Sequence, residues 1–160
     1  MCNSLEAAEY LTSIANKDFV PLNSFMVQNL LYVAQAHSLI KNGEPLFHED
    51  FLAQEDGPYL PYVKTFYKFD GDFILIASLS VDDLIAKRHK KILEEIYNIY
   101  KEAYSDGYVV YDSGKALIKL REAIKACAAW INAFFNKNNK LIEKDEIKKS
   151  FQNRKNYFYA

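Results

Sequence analysis

The chain has 160 residues, of which half are hydrophobic and 15% are aromatic, and its formal net charge is −1. This length suits one domain with a sizeable core, and the composition is not that of a disordered chain. A nearly neutral charge disfavours a protein that binds nucleic acid through general attraction to phosphate. Two cysteines are too few for a disulfide framework, which favours a reducing compartment.

Charge is spread unevenly, because residues 44–83 are rich in acids and residues 137–160 are rich in lysine. An ordinary solvated surface or a docking patch would explain this pattern, and the weak specificity of charge runs favours the first. The N-terminus lacks the basic start and apolar run of a signal peptide, and no apolar stretch is long enough to span a bilayer. We therefore expect a cytoplasmic protein without a membrane partner.

The first two predicted elements are helices with marked ends. Asn3 and Glu6 have the spacing of a capping box, and a periodic apolar pattern then predicts a helix through about Asn16. A second helix is predicted over residues 23–41, with Asn23 as its N-cap and Asn42-Gly43 as its stop signal. Apolar residues cover most of the circumference of this second helix. It is therefore the expected central core helix.

Three polar residues interrupt the apolar surface of the central helix. Gln28, Tyr32 and Gln35 follow i, i+4, i+7 spacing and lie along one stripe. One interpretation is that they hydrogen-bond to loops that cross the helix, since buried polar groups usually find partners. The other is that they form a recognition stripe. Both interpretations are open at this point.

The middle of the chain contains shorter elements. The segment 46–54 has mixed alternation that is compatible with one or two short strands. Asp56-Gly57-Pro58 is a strong turn signal, and Pro61 is suited to the first position of a short helix that ends near Phe69. The apolar run 73–79 fits a buried strand or a helix fragment equally well.

The second half of the chain is predicted to be helical. Ser80 and Asp83 would cap a long helix through about Tyr104, and Asp106-Gly107 would end it. A brief β-like connection over 108–111, a helix over 112–135 and a short helix from about Glu143 follow. The expected fold class is mainly α, or α+β. It is a single domain, 1–160, built around the central helix with a few short strands.

The motifs of nucleotide and hydrolytic chemistry are missing. The sequence has no phosphate loop, dinucleotide fingerprint or nucleophile elbow, and its histidines and cysteines lack the spacing of metal ligands. His48-Glu49-Asp50 is the one local cluster that suits a metal or acid-base chemistry, but charged surface triplets are common. We therefore predict no catalytic residue, no cofactor and no metal.

Three segments in order resemble the Panacea domain family, also called the SocA-type antitoxin domain. They are LNSFMVQNLLYVAQAHSLI at 22–40, NGEPLF at 42–47 and EDGPYLPYVKTFYKF at 55–69. The closing segment 128–151, which contains the only tryptophan, is similar to the end of that family. The family-like positions are Gln28, Leu30, Leu31, Tyr32, Ala34, Gln35, Gly43, Pro45, Leu46, Phe47, Gly57, Pro58, Pro61 and Val63.

The resemblance has two departures. The lysine that usually follows the motif glutamine is Asn29 here. The threonine-histidine pair that commonly precedes the tryptophan is absent, and Lys125-Ala126-Cys127 stands near that place. Both departures concern groups that make partner contacts in relatives.

The resemblance implies a mainly helical domain that neutralises a protein toxin encoded beside it. The partner-binding residues that it suggests are Gln28, Tyr32, Gln35, Gly57, Pro58 and Pro61. Some relatives instead deliver a toxin to a protease, and the basic tail 137–155 or the terminal YFYA would then engage the protease. Weaker alternatives are an enzyme that uses His48-Glu49-Asp50, with or without a metal, and a DNA-binding repressor.

Overall fold

The computed structural model describes residues 2–67, 75–104 and 113–154. Within them the helices are α1 (Ser4–Lys17), α2 (Ser24–Lys41), α3 (Pro61–Phe66), α4 (Lys87–Tyr104), α5 (Ser113–Lys125), α6 (Ala128–Asn136) and α7 (Lys144–Phe151). The strands are β1 (Phe51–Gln54), β2 (Gly57–Tyr59) and β3 (Leu141–Ile142). The predicted mainly α fold with a small strand component is therefore confirmed.

Helix α2 is the centre of the molecule. It packs against α1, α4, α5, α7 and β2, and nearly all of its apolar side chains are buried. The Asn23 side chain accepts a 2.8 Å hydrogen bond from Met26 N, which caps the helix as predicted. At the other end Asn42 is the C-cap residue, and Gly43 follows with φ +72°. Both predicted ends are confirmed, since they depend on local backbone chemistry.

The predicted capping box of α1 is also confirmed. Glu6 N donates to Asn3 Oδ1 at 2.8 Å, and Asn3 N donates to Glu6 Oε2 at 2.9 Å. The reciprocal bonds satisfy two backbone donors at the start of the helix.

The three strands form one antiparallel sheet in the order β2-β1-β3. β1 and β2 make a hairpin in which Gln54 faces Gly57, and Pro61 then begins α3 at the predicted position. β3 pairs with β1 through Phe51 opposite Ile142. The sequence did not predict β3, because two residues are too short to show a strand pattern.

Two predicted helices have different bounds. α4 begins at Lys87, and Asp82–Leu84 ahead of it forms a single 3-10 turn, so the Ser80 and Asp83 capping prediction is wrong. The helix predicted over 112–135 is two helices, because Cys127 is extended (ψ 139°) and buried. A tertiary contact supports the second start, since Ala129 N donates to Ser150 Oγ at 3.1 Å.

Several sequence predictions lie outside the described residues. They are the start of the apolar run at 73–74, the Asp106-Gly107 stop, the β-like connection 108–111 and the terminal YFYA. The predicted end of α3 near Phe69 is corrected, because α3 ends at Phe66 with Tyr67 as its C-cap. In the described part of the chain, no helix combines the length and the hydrophobicity that crossing a membrane would need.

Candidate functional site

Gln28 holds the chain between β2 and α3 against the central helix. Leu60 N donates to Gln28 Oε1 at 2.8 Å, and Gln28 Nε2 donates to Leu60 O at 3.3 Å. One side chain thus satisfies both backbone groups of a fully buried residue. Leu60 directly precedes Pro61, so Gln28 also fixes where α3 begins.

Gln35 does the same two turns further along α2. Its Oε1 accepts from Leu46 N at 2.7 Å and from Phe47 N at 3.4 Å, and its Nε2 donates to Phe47 O at 3.0 Å. Leu46, Phe47 and Gln35 have no exposed surface. The interpretation that the stripe binds crossing loops is therefore correct for both glutamines.

Tyr32 lies between the two glutamines and is completely buried. Its ring packs edge-on against Phe51 (5.0 Å between ring centres) and Phe151 (5.9 Å). Burial raises the pKa of the Tyr32 phenol well above its usual value. β1, α7 and the 46–47 loop cover Tyr32 and Gln35, so neither side chain is exposed for the predicted partner contact.

Gln28, Gly57 and Pro58 instead come together around one pocket, and all three are buried. They line a small pocket, here called the hairpin pocket, between the first half of α2, the β1-β2 hairpin and α3, with a cavity volume of about 30 Å³. Pro61 stands exposed at the start of α3, the helix that forms one wall. The full lining is Ser24, Phe25, Gln28, Asn29, Gln54, Asp56, Gly57, Pro58, Tyr59, Val63, Lys64 and Tyr67.

The base of the hairpin pocket contains buried polar groups. Asn29 is 1% exposed, and its Nδ2 donates to Phe25 O at 2.7 Å. Gly57 has φ +118°, and a Cβ at that position would lie 3.3 Å from Asn29 Oδ1. Glycine is thus required there for its backbone conformation, and its lack of a side chain leaves room for the buried Asn29 oxygen.

The charges around the hairpin pocket are balanced. Arg121 Nη1 lies 3.6 Å from Asp56 Oδ1, and Lys64 Nζ lies 5.2 Å from the centre of the Tyr59 ring. Lys125 Nζ donates to Glu55 O at 2.7 Å, at the turn of the hairpin. These cations are engaged by the protein itself, so the rim has no strong preference for an anion.

Tyr67 connects the hairpin pocket to a buried carboxylate. Its hydroxyl donates to Glu9 Oε1 at 2.8 Å, and Glu9 Oε2 accepts from Ser78 N (2.7 Å) and Leu79 N (2.9 Å). Burial and the bond to Glu9 raise the pKa of Tyr67, so its hydroxyl stays a donor. Glu9 therefore fixes one wall of the pocket and the segment ahead of α4.

The His48-Glu49-Asp50 cluster has structural contacts. Glu49 Oε1 accepts from Ser4 N and Ser4 Oγ, both at 2.9 Å, at the start of α1. Lys144 pairs with Asp50 and donates to His48 O at 2.8 Å. Among the described residues, no group of three or more histidine, cysteine or acidic side chains is placed to hold a metal ion.

The two cysteines are buried thiols. Burial raises the pKa of Cys2 to about 12, and it also raises the pKa of Cys127. A thiol with a raised pKa is a poor nucleophile at neutral pH, because the thiolate is the reactive form.

Fold and site together define a mainly α protein with one small sheet and a hairpin pocket beside its central helix. No family model, no curated protein and no solved structure matches the chain. The resemblance to the Panacea domain family therefore stays a prediction from the motifs.

Sequence reasoning missed several groups of the hairpin pocket. Phe25 and Asn29 share a helix face with Gln28, so i, i+3, i+4 spacing offered a signal for them. Tyr67 and Glu9 offered none, because their contact spans 58 positions of the chain.

Proposed function

We propose that this protein is a non-enzymatic, antitoxin-like protein of the cytoplasm that binds and neutralises a cognate protein toxin encoded beside it. The observation that carries the proposal is the set of hydrogen bonds that the two motif glutamines make. Gln28 and Gln35 each hydrogen-bond the backbone of a crossing segment, so the motif residues fix the chain on both sides of the β1-β2 hairpin. A preformed surface suits a binding protein, because little ordering is needed on association.

Aromatic side chains next to the hairpin pocket support an interaction surface. On α3, Tyr62 is 51% exposed and Phe66 is 37% exposed. Aromatic residues contribute large contact area with few rotatable bonds and are enriched at the centres of protein interfaces. We assign the partner contact to α3 and the hairpin pocket, in place of Tyr32 and Gln35.

Co-expression with each neighbouring gene product in a bacterial host tests the proposal. Growth rescue together with co-purification of the neighbour is the expected result. Rescue with disappearance of the neighbour would favour delivery to a protease. Absence of toxicity and of a complex with either neighbour would overturn the proposal.

Matched surface variants then test the interface. Replacing both Tyr62 and Phe66 with serine should abolish co-purification and rescue while the circular dichroism spectrum is retained. Leu84→Ser is the control, since Leu84 is a 64% exposed apolar residue in a different segment. Equal loss in the control would assign the effect to general apolar exposure and remove α3 from the interface.

A further inference from the structure

Helix α6 has an apolar side that faces away from the core. Its buried positions are Ala129, Trp130 and Ala133. On the opposite side of the helix, Ile131 is 42% exposed and Phe135 is 69% exposed. A surface helix usually has polar residues on its outer side, so two large apolar residues there indicate a surface that another molecule covers.

The exposed residues of α6 form a stripe with a small end and a large end. Ala128, Ile131 and Phe135 are all exposed, and i, i+3, i+7 spacing places them on one side of the helix. We call these three residues the α6 stripe. The Phe135 ring packs edge-on against Phe134 (5.0 Å between ring centres) and Trp130 (6.2 Å). A ring already held by its neighbours loses little freedom when it contacts a partner.

Helix α7 lies beside the α6 stripe and runs antiparallel to α6. At the start of α6, Ala129 N donates to Ser150 Oγ near the end of α7 at 3.1 Å. In the middle of α6, Asn132 Nδ2 donates to Glu146 Oε1 near the start of α7 at 2.6 Å. The groove between the two helices is lined by Ala128, Ala129, Asn132, Glu146, Lys149 and Ser150. The α6 stripe and the outer side of α7 are therefore one continuous surface.

The two ends of α7 have opposite charges. Its first turn contains Asp145 and Glu146, and its last turn contains Lys148 and Lys149. Asp145 and Lys149 are exposed, and i, i+4 spacing places them on one side of the helix. Neither of these two side chains forms an ion pair with another residue of the described ranges. The surface beside the α6 stripe thus has a free acid at one end and a free base at the other.

Shape and charge make this surface complementary to itself. When a two-fold axis relates two copies of a helix that meet face to face, the helices run antiparallel and each end contacts the opposite end. With the axis beside Ile131, the Phe135 ring of each copy meets Ala128 of the other, where a small side chain leaves room. The same axis brings Asp145 of each copy toward Lys149 of the other.

We propose that this protein forms a two-fold homodimer through the α6 stripe and the outer side of α7. A second copy is the occupant that requires a large residue and an acid to be matched by a small residue and a base across one centre. The contact is small, so the dimer should be weak, with a dissociation constant on the order of 100 µM. This inference is independent of the proposed function, because the dimer contact and the α3 contact share no residue.

Sedimentation equilibrium of the isolated full chain tests the dimer. Between about 10 and about 500 µM, we expect the average mass to rise from that of a monomer toward that of a dimer. Ile131→Ser should raise the dissociation constant at least about tenfold. Ile118→Ser is the matched control, since Ile118 is a 53% exposed isoleucine on α5, and it should change the constant by less than about twofold. A monomer at every concentration, or equal losses in the two variants, would overturn the proposal.

A second substitution guards against misfolding of Ile131→Ser. Phe135→Ser changes the most exposed residue of the α6 stripe and should raise the dissociation constant by a similar factor while the circular dichroism spectrum is retained. An unchanged dissociation constant in this variant would refute the α6 contact.

Charge reversal tests the two-fold arrangement. Asp145→Lys places like charges opposite each other and should weaken the dimer about threefold to tenfold at low salt. Adding Lys149→Asp in the same chain exchanges the two charges across the axis and should restore the wild-type dissociation constant to within about twofold. Failure of the double variant to recover would contradict the predicted pairing.

Co-expression then separates the dimer from the antitoxin proposal. If the isolated chain is monomeric and Phe135→Ser abolishes co-purification of the neighbouring gene product, the α6 stripe contacts that partner and the dimer is wrong. If the chain dimerises through the α6 stripe and no neighbour is toxic or co-purifies, the dimer stands and the antitoxin proposal fails.

Discussion

Two glutamines on the same helix do the same local chemistry with different consequences. Gln35 satisfies Leu46 and Phe47 in a fully buried setting, whereas Gln28 satisfies Leu60 at the edge of the hairpin pocket. Each glutamine side chain holds a crossing segment by hydrogen bonds to its backbone, and we call each of these two arrangements a backbone clamp. The comparison teaches that glutamines of one stripe hold different segments of the chain, and that of the two only Gln28 borders the hairpin pocket.

The largest expected effect lies between the two clamps, at Tyr32. Tyr32→Ala should lower the free energy of unfolding by about 3–5 kcal/mol, because it leaves a cavity among buried rings. Tyr32→Phe is the matched control and should change stability by less than about 0.5 kcal/mol, since no described group bonds the hydroxyl. Urea denaturation measures both. A large loss in Tyr32→Phe would show that the hydroxyl has a partner.

The clamps themselves should differ in strength. Gln35→Leu strands buried backbone groups of two residues and should cost about 2–4 kcal/mol. Gln28→Leu strands only Leu60 N, since Leu60 O also accepts from Lys64 N at 3.0 Å, and it should cost about 1–2 kcal/mol. The denaturation midpoints of the two variants measure this difference. Equal losses of stability in the two variants would contradict the predicted difference between the Gln28 and Gln35 clamps.

Glycines near the two ends of α2 provide a smaller contrast. Gly57→Ala should cost about 2–3 kcal/mol, because its φ of +118° is strained for alanine and its Cβ would crowd Asn29. Gly43→Ala should cost only about 1 kcal/mol, since its φ is +72° and no atom lies within 4 Å of the new Cβ. Thermal melts of both variants are the measurement. A smaller loss of stability in Gly57→Ala than in Gly43→Ala would mean that the hairpin backbone shifts to accommodate the added Cβ.

The smallest expected effect is a pH dependence of the stability of the fold, which should affect both ends of α2 alike. Burial lowers the pKa of His89 in α4, with Arg88 nearby adding to it and Glu44 opposing it. Stability should therefore be complete above about pH 6.5 and should fall as pH drops toward the lowered pKa of the folded state. His89→Gln should remove this slope. The denaturation midpoint between pH 7.5 and 5 measures it, and an unchanged slope would contradict the assignment.

Further acidification should involve surface carboxylates. Burial opposes ionisation of Glu95, but bonds from Lys41 and His37 outweigh it and lower its pKa. Lys101 and Tyr97 likewise lower the pKa of Asp18. A lowered pKa in the folded state means that stability is lost as pH falls below about 4.5.

The sequence alone determined the parts of this protein that depend on neighbours along the chain. The caps at Asn3 and Asn23 and the Pro61 helix start follow from side chains that bond backbone a few residues away. The apolar circumference of α2 identified the core helix, since burial on all sides requires that pattern.

Tertiary structure alone decided which polar residues border a pocket. Spacing placed Gln28, Tyr32 and Gln35 on one stripe, but it could not show that β1 and α7 cover Tyr32 or that residues 46–47 cover Gln35. The break at Cys127 and the Glu9 contact to Tyr67 depend on groups 21 and 58 positions away along the chain, respectively. The local sequence pattern does not predict such pairs, because they form only when distant segments pack together.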